Sequence, residues 1–191
     1  MPDPIDRVRR WLRAAERAAL SHAEAAALAT ATRAGAPSVR MVLVKQVDDR
    51  GLVFFTDGRS RKGRELAENP RAALALFWDR LDRQVRVEGR VERVTPAESD
   101  AYWTSRSREK QLAARASHQS APLASRAILL ARWRRLRTTL ADAPVPRPPE
   151  WTGFRIVPDV IEFWTRGPHR LHTRQRFTRV RGRWREGLLQ P

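Results

Sequence analysis

The sequence predicts a mainly β protein, in which a small antiparallel β-barrel carries added helices. Three observations favour this class. Six to eight short runs rich in β-branched and aromatic residues are separated by turn-forming residues. One of these runs, residues 83–94, alternates between apolar and charged side chains, and a helical block over about residues 95–140 interrupts the strands. The length of 191 residues suits one domain over residues 1–191.

The first element is expected to be a helix over about residues 4–20. Its apolar residues recur at the three- and four-residue spacing of one helix face, and either Asp3 or Asp6 is placed to cap its N-terminus. The apolar positions are Ile5, Val8, Trp11, Leu12, Ala15, Ala19 and Leu20.

Three β-rich runs follow this helix, at Ala27–Thr32, Val39–Val47 and Leu52–Thr56. The segments between them, residues 34–37 and 48–51, have the composition of turns. Short strands joined by such turns predict an antiparallel meander.

The middle of the chain predicts a basic loop at about residues 57–62 and then a short helix that ends before Pro70. Two strands are expected after it, at residues 71–78 and 83–94. In the second strand the valines lie on one face and Arg86, Glu88, Arg90 and Glu92 on the other. The charged face is therefore expected to meet water.

The last part of the chain predicts helices and then more strands. Thr95 is placed to cap the helical block, whose longest helix spans about Leu123–Leu140. The Pro-rich segment 141–151 is short, which indicates a connector within the same domain. Strands are expected at residues 154–164 and 170–180, around a turn at residues 165–168, and a further one at residues 183–189.

Composition excludes several classes of protein. The formal net charge is +17, and most of the cations are arginines, which favour contacts with phosphate and carboxylate. Because the chain has no cysteine, disulfides, thiolate nucleophiles and cysteine-bound metal centres are excluded. No apolar run has the length of a membrane span and the N-terminus lacks a signal-peptide core, so a cytoplasmic protein is expected.

Side chains that could carry chemistry unaided are few. His169 and His172 have no carboxylate near them in sequence, so no metal site is expected. The chain also lacks a serine nucleophile elbow and a glycine-rich phosphate fingerprint. An enzyme built on this chain would therefore need a cofactor.

The basic clusters are more informative. Arg40 and Lys45 lie at the two ends of an apolar strand, and Arg61 and Lys62 are expected in a loop before a helix start, where backbone N–H groups favour phosphate. These clusters suit a pocket for a small anion, and the alternative is a basic surface for nucleic acid. Most aromatic residues lie in apolar strand contexts and acidic residues are mixed among the basic ones, which favours the pocket.

The order of short motifs over roughly residues 35–191 is more specific than any one cluster. The series comprises Arg40–Lys45 (RMVLVK), Phe54–Thr56, Ser60–Lys62 (SRK), Asn69–Arg71, Arg83–Val85 (RQV), Ala116–Ser120, Glu162–Trp164 and His169–Arg174 (HRLHTR). This series resembles the pyridoxamine 5′-phosphate oxidase family. The resemblance implies a split-barrel homodimer that binds FMN at the subunit interface. It also implies oxidation of pyridoxamine or pyridoxine 5′-phosphate to pyridoxal 5′-phosphate, with O2 as electron acceptor and H2O2 as product.

The resemblance also implies roles for individual residues. The FMN contacts would be Arg40, Met41, Val42, Leu43, Val44, Lys45, Phe55, Thr56, Arg61, Lys62, Gln84, Gln119, Ser120, Trp164 and Arg174. The substrate contacts would be Lys45, Tyr102, Arg106, Lys110, Arg170, Leu171 and His172. Arg170 and His172 would be catalytic residues that cover the substrate ring, and strand parity would point both the same way.

Departures from the family pattern lie on the substrate side. Lys110 stands where the family usually has serine, Arg115 where tryptophan is frequent, and Leu188 where an arginine is usual. Flavin oxidases of phenazine biosynthesis resemble the same family and form an alternative. They generally lack the Tyr102 and Arg106 type of phosphate clamp, which favours the vitamin B6 reaction. A basic nucleic-acid-binding module without catalysis is the third possibility.

Overall fold

The apolar runs of this chain form an antiparallel sheet flanked by helices, in a computed structural model that describes residues 3–191. Residues 1 and 2 of the predicted domain lie outside the described residues. Within the described range, the strands are β1 (Ala25–Ala31), β2 (Pro37–Leu43), β3 (Gln46–Asp48), β4 (Gly51–Asp57), β5 (Arg71–Trp78), β6 (Arg83–Arg93), β7 (Trp151–Thr165), β8 (Thr173–Val180) and β9 (Arg183–Leu189). The helices are α1 (Pro4–Arg17), α2 (Arg61–Glu68), α3 (Pro96–Ser105), α4 (Arg108–Ala116) and α5 (Arg126–Leu140). The predicted class, mainly β with added helices, is confirmed.

The sheet runs in the order β2-β1-β5-β6-β7-β4-β3, so the predicted meander is wrong. The predicted strand Val39–Val47 divides at Val44 and Lys45, where the chain changes partners. The backbone N–H of Val44 donates to Glu24 O at 2.9 Å, whereas that of Lys45 donates to Val53 O at 2.8 Å. The chain thus leaves β1 and joins β4, and the two hairpins lie at opposite ends of the sheet path.

Strand β7 has an unusual set of partners for one strand. It pairs with β6 along one edge, while β4 and then β8 pair with successive parts of its other edge. The first half of β7 therefore belongs to one part of the curled sheet and the second half to another. Strand β9 extends the second part through β8.

The predicted alternation of β6 is confirmed. Val85, Val87 and Val91 are buried in the main core, whereas Arg86 and Arg90 on the opposite face are exposed. Helix α1 covers this core with Ile5, Val8, Leu12 and Ala15. It is capped by Asp3, whose carboxylate accepts the Ile5 N–H at 2.8 Å, and it ends at Arg17 rather than at residue 20.

Helices α3 and α4 form a second, smaller core with the start of β7. Its buried members are Trp103, Leu112, Val145 and Trp151, and the Trp103 indole donates to Val145 O at 2.8 Å. This bond ties the Pro-rich connector to α3. Helix α5, the longest predicted helix, begins at Arg126 rather than Leu123 and buries no residue. No helix within residues 3–191 is long and apolar enough to cross a membrane.

Gly153 of β7 provides a test of packing against Phe55 of β4 and against Val94, which follows β6. A Cβ at this position would lie 2.6 Å from Val94 Cγ2 and 2.7 Å from a ring carbon of Phe55. Gly153→Ala is therefore expected to lower the free energy of unfolding by about 1–3 kcal/mol, as overpacking does. Gly187→Ala in β9 is the matched control, because a Cβ there meets nothing within 4 Å. Equal losses in denaturant titrations of the two variants would contradict this packing.

Candidate active site

A cavity of about 450 Å³ opens between β2, the β4–α2 corner and helices α3 and α4. Eleven of the residues assigned to cofactor or substrate from the sequence line it: Met41, Val42, Leu43, Lys45, Phe55, Thr56, Lys62, Tyr102, Arg106, Lys110 and Gln119. The lining also includes Asp57, Ala113, Ala114, Ser117 and Trp151, which the sequence analysis did not assign to the site. The fold thus brings together residues that are far apart in sequence.

One wall of the cavity is the first turn of α2. The Ser60 hydroxyl caps this helix by accepting the Gly63 N–H at 3.3 Å. Arg61 and Lys62 are the first two helical residues, so their predicted place in a loop is wrong. Both cations lie at the N-terminal, positive end of the helix dipole, where an anion would be stabilised. The arrangement therefore favours a bound phosphate.

Lys62 is buried against polar partners. Its Nζ donates to Gln119 Oε1 at 2.8 Å and to Thr56 Oγ1 at 3.1 Å. Burial, with a smaller effect from the nearby Arg40 charge, lowers the pKa of Lys62 to about 8. Its ammonium contacts neutral acceptors there, which leaves its charge available to an anion.

Arg40 and Arg61 do not line the cavity, because both bind the buried carboxylate of Glu65. Arg61 Nε lies 2.8 Å from Glu65 Oε1, and Arg40 Nη2 lies 3.3 Å from Glu65 Oε2. The hydroxyls of Thr30 and Ser38 also donate to Glu65. Burial alone would raise the pKa of Glu65, but these hydrogen bonds outweigh it and lower that pKa to about 2.

The opposite wall of the cavity is aromatic. The rings of Phe55 and Tyr102 stack at 4.1 Å, and Phe55 and Trp151 stack at 5.4 Å. From the sequence, Trp151 is predicted only to end the Pro-rich connector. Its position at the start of β7, directly opposite Asp57 of β4, is what places its ring at the cavity.

Arg106 lies over this aromatic wall. Its guanidinium carbon is 4.9 Å from the Trp151 ring centroid and 5.2 Å from that of Trp103. Burial lowers the pKa of Arg106. Its Nη1 is buried and finds no hydrogen-bond partner within residues 3–191. A buried guanidinium nitrogen without an acceptor is well suited to bind an anionic ligand.

Three further charged residues line the cavity. Lys45 Nζ lies 3.0 Å from Glu24 Oε1, whereas Lys110 is exposed on α4. Asp57 is a carboxylate in an otherwise cationic site, and it accepts from Arg59 Nη2 at 2.9 Å and Arg59 Nε at 3.1 Å. This pairing offsets the charge of Asp57. No group of three or more acidic or histidine side chains within residues 3–191 is placed to hold a metal.

A second group of assigned residues lies near the other end of β7, away from the cavity. Gln84 of β6 and Arg174 of β8 flank Trp164 in register, and the His172 ring lies 4.7 Å from the Trp164 ring. Arg174 Nε donates to Glu162 Oε1 at 2.8 Å, and its Nη1 donates to Gln190 O at 3.0 Å. Neither these residues nor Val44, Ser120, Arg170 and Leu171 line the 450 Å³ cavity.

The predicted strand over residues 170–180 begins only at Thr173, so strand parity does not orient Arg170 and His172. Residues Pro168–Arg170 form a 3₁₀ turn in which His169 and Arg170 have φ of 54° and 65°. The turn closes tightly, since a Cβ on Gly167 would lie 2.0 Å from Leu171 O. Left-handed backbone at two non-glycine residues is costly and is typical of functional loops.

The chain matches two family descriptions. Residues 12–140 match pyridoxamine 5′-phosphate oxidase, and residues 151–191 match the pyridoxine 5′-phosphate oxidase C-terminal dimerisation region. A pyridoxine/pyridoxamine 5′-phosphate oxidase of Anaeromyxobacter dehalogenans is 53% identical over 190 residues, which is 100% of this chain and 96% of the relative. One of the same name from Thermosynechococcus vestitus is 49% identical, over 99% of this chain and 89% of the relative.

Solved structures agree on the fold. PhzG from Burkholderia lata 383, in complex with tetrahydrophenazine-1-carboxylic acid, superposes with a TM-score of 0.95 at 38% identity, over 99% of this chain and 93% of that one. A pyridoxamine 5′-phosphate oxidase-related, FMN-binding protein from Nostoc punctiforme has a TM-score of 0.80 at 17% identity, with 100% of both chains covered. The second likeness shows the fold alone.

Glu65 makes the stability of the site depend on pH. Its folded pKa of about 2 lies below the ordinary value of 4.5. The stabilisation is therefore complete above about pH 4.5 and is lost as the pH falls towards 2, by about 3 kcal/mol in all. We expect Glu65→Gln to be much less stable than wild type at pH 6 and to approach it near pH 2.

Denaturant titrations from pH 6 to pH 2 measure this convergence. Glu68→Gln, at an exposed residue of the same helix α2, is the matched control for loss of one carboxylate, and it should cost less than about 0.5 kcal/mol at pH 6. A gap between Glu65→Gln and wild type that stays constant over the whole range would refute the assigned role of Glu65.

Proposed function

Because this chain belongs to the pyridoxamine 5′-phosphate oxidase family, we propose that it oxidises pyridoxamine or pyridoxine 5′-phosphate to pyridoxal 5′-phosphate with FMN as cofactor. The observation that carries the proposal is the buried Arg106 Nη1, which finds no acceptor among residues 3–191, in a cavity that Lys62 also lines. Both expected ligands are phosphate monoesters, and each needs cationic donors beside an apolar surface for its ring.

The residues of the cavity fit FMN. Lys62, at the first turn of α2, would bind its phosphate together with the hydroxyl of Thr56 and the amide of Gln119. Arg40 and Arg61 do not line the cavity, but they would add positive charge near it, and Glu65 holds both of them in place. Bound there, FMN would supply the hydride acceptor for oxidation of the substrate at its C4′ carbon, with O2 as the final electron acceptor and H2O2 as the product.

The substrate phosphate would bind on the α3–α4 side of the cavity. Arg106 would offer its Nη1, Tyr102 would offer a hydroxyl, and Lys45 and Lys110 would add charge. Lys110 occupies the position where the family usually has serine, so it would add a cation to this clamp. Residues that orient a phosphate remote from the reacting carbon contribute by positioning the substrate.

A second copy of the chain would complete the site, and we propose a homodimer. Trp164 of the other group lies thirteen positions after Trp151 of the cavity in β7, which is roughly 40 Å along an extended strand. One chain therefore does not bring both groups to one small molecule. The partner subunit's Gln84, Trp164 and Arg174 would reach the flavin, while the partner subunit's Arg170, Leu171 and His172 would cover the substrate ring and exclude water.

The surface of the chain supports such an interface. Large apolar side chains are exposed on β2 beside the cavity and near the second group, where Met41 is 64%, Leu171 68% and Leu188 76% accessible. Surfaces of this kind mark protein–protein contacts. The family description of residues 151–191 as a dimerisation region agrees. We further propose that residues 1–191 form one domain, because β7 joins all parts of the sheet.

A related FMN oxidase of another substrate is the second candidate. Its support is the likeness to PhzG, a structure described in complex with tetrahydrophenazine-1-carboxylic acid. The cluster of Tyr102, Arg106 and Lys110 in one cavity favours a phosphorylated substrate instead. The nucleic-acid alternative is less favoured, because much of the arginine charge is paired internally, as at Glu65, Glu162 and Asp57.

Anaerobic mixing tests the reaction directly. The FMN-loaded protein is mixed with pyridoxamine 5′-phosphate, and the flavin absorbance is expected to bleach and to return when O2 is admitted. Pyridoxamine without its phosphate is the matched control and should bleach the flavin at least about a hundredfold more slowly at equal concentration, because the clamp then lacks its anion. Bleaching by tetrahydrophenazine-1-carboxylic acid and not by either B6 phosphate would favour the second candidate.

FMN binding is expected to weaken at alkaline pH. Lys62, with a pKa of about 8, is charged below that pH and becomes neutral above it, so the affinity for the FMN phosphate should fall by up to about tenfold per pH unit above 8. Lys62→Met should bind weakly already at pH 7 and show a flatter profile. Arg64→Met, which removes an exposed cation from the same helix, is the control for net charge. Equal pH profiles for Lys62→Met and wild type would rule out this role of Lys62.

A further inference from the structure

A buried arginine joins three parts of the fold at the base of α3. Arg155 of β7 is 2% exposed, and its Nη2 donates to Asp48 Oδ2 and to Glu98 Oε1, both at 2.6 Å. Its Nε donates to Asp48 at 3.1 Å, and its Nη1 lies 3.7 Å from Glu92 Oε1. The three carboxylates come from β3, β6 and α3. One guanidinium therefore fixes three elements to the centre of β7.

Glu98 transmits this link to the start of α3. Its Oε2 accepts from the backbone N–H of Thr95 at 2.7 Å, while the Thr95 hydroxyl accepts the Glu98 N–H at 3.1 Å. This reciprocal capping box occupies one carboxylate oxygen and leaves Oε1 for Arg155. This contact with β7 thus fixes both the rotation of α3 about its axis and its position along that axis at the first turn.

The same helix carries the proposed phosphate clamp. Tyr102 follows Glu98 by four residues and so projects from the same face one turn later, and Arg106 follows the last turn. The Tyr102 ring stacks on Phe55 in the cavity wall. A slide or rotation of α3 at Glu98 would therefore displace both clamp residues.

Other contacts keep α3 on the sheet without setting its position in the same way. The Ser99 hydroxyl accepts the Gly153 N–H at 3.3 Å, and Trp103 is buried in the smaller core. Ser99 directly follows Glu98, and Trp103 lies in the last turn of the helix. A chain without the Arg155–Glu98 bond should therefore keep α3 docked through these contacts but lose the charged link that fixes the orientation of its first turn.

We propose that Arg155 is a positioning residue that sets Tyr102 and Arg106 for the substrate phosphate by anchoring Glu98. This proposal rests on the proposed function of the cavity. Arg155 lines neither the cavity nor the FMN side of the site, so its removal should affect substrate recognition more than cofactor binding. Misplacing substrate-binding groups by about 1 Å is enough to weaken substrate recognition strongly.

Tyr102 is the only tyrosine of the chain, which allows a direct reading of its position. Protein labelled with 3-fluorotyrosine should give a single ¹⁹F resonance from Tyr102 in the FMN-free state. Arg155→Met is expected to shift or broaden this resonance. Arg50→Met is the matched control and should leave it unchanged, because Arg50 binds the same Glu92 from the exposed side and does not reach α3.

Kinetics give the second readout. With pyridoxine 5′-phosphate, Arg155→Met should raise KM about tenfold, with FMN affinity and kcat within about twofold of wild type. Glu98→Gln is the second variant if Arg155→Met fails to fold. Its amide oxygen can still accept from Thr95, while its N–H₂ group cannot accept from Arg155, so it breaks only the link and should reproduce the rise in KM.

The outcomes separate the two proposals. If wild type binds FMN but does not oxidise either B6 phosphate, the proposed function fails and the ¹⁹F comparison still tests the anchoring of Tyr102. If wild type turns over and both variants keep its KM and its ¹⁹F resonance while only the melting temperature falls, Arg155 is a structural residue and the inference is overturned.

Discussion

The pairing of β7 with three other strands, β4, β6 and β8, is the constraint on which the rest of the structure depends. A strand has two edges, and β7 uses one for β6 and divides the other between β4 and β8. Its first half therefore faces the cavity with Trp151, and its second half holds Trp164 beside Gln84 and Arg174. The separation of the two groups follows from this pairing, and under the proposed function a second copy of the chain would reunite them.

The cationic composition has a structural explanation at the site. Carboxylates hold individual guanidinium groups in place: Glu65 binds Arg40 and Arg61, Glu162 binds Arg174, and Asp48 with Glu98 binds Arg155. Burying such pairs costs solvation, which good geometry and further hydrogen bonds must offset. Lys62 and Arg106 differ: Lys62 contacts neutral acceptors, and Arg106 Nη1 has no hydrogen-bond partner in the described part of the chain. These two cations therefore support the proposed positions of the anionic ligands.

Local patterns in the sequence were enough to predict the elements that depend on local physics. The alternation of β6 and the apolar face of α1 each follow from one periodicity, and both were predicted correctly. The division at Val44 and Lys45 was not predictable, because it depends on hydrogen-bond partners on β1 and β4 that are remote in sequence. The turn at Pro168–Arg170 was missed for a related reason, since its left-handed residues are not glycines. Trp151 was missed because its partners Phe55 and Tyr102 come from distant segments.

The most direct test of the shared site is a heterodimer of two defective chains. Lys62→Met damages the cavity group and Trp164→Ala damages the other group, so each homodimer should bind FMN poorly. In a heterodimer purified through two different tags, one site receives both substitutions and the other receives neither. The shared-site account predicts about one tightly bound FMN per heterodimer. A heterodimer that binds no more FMN than the two parent homodimers would contradict it.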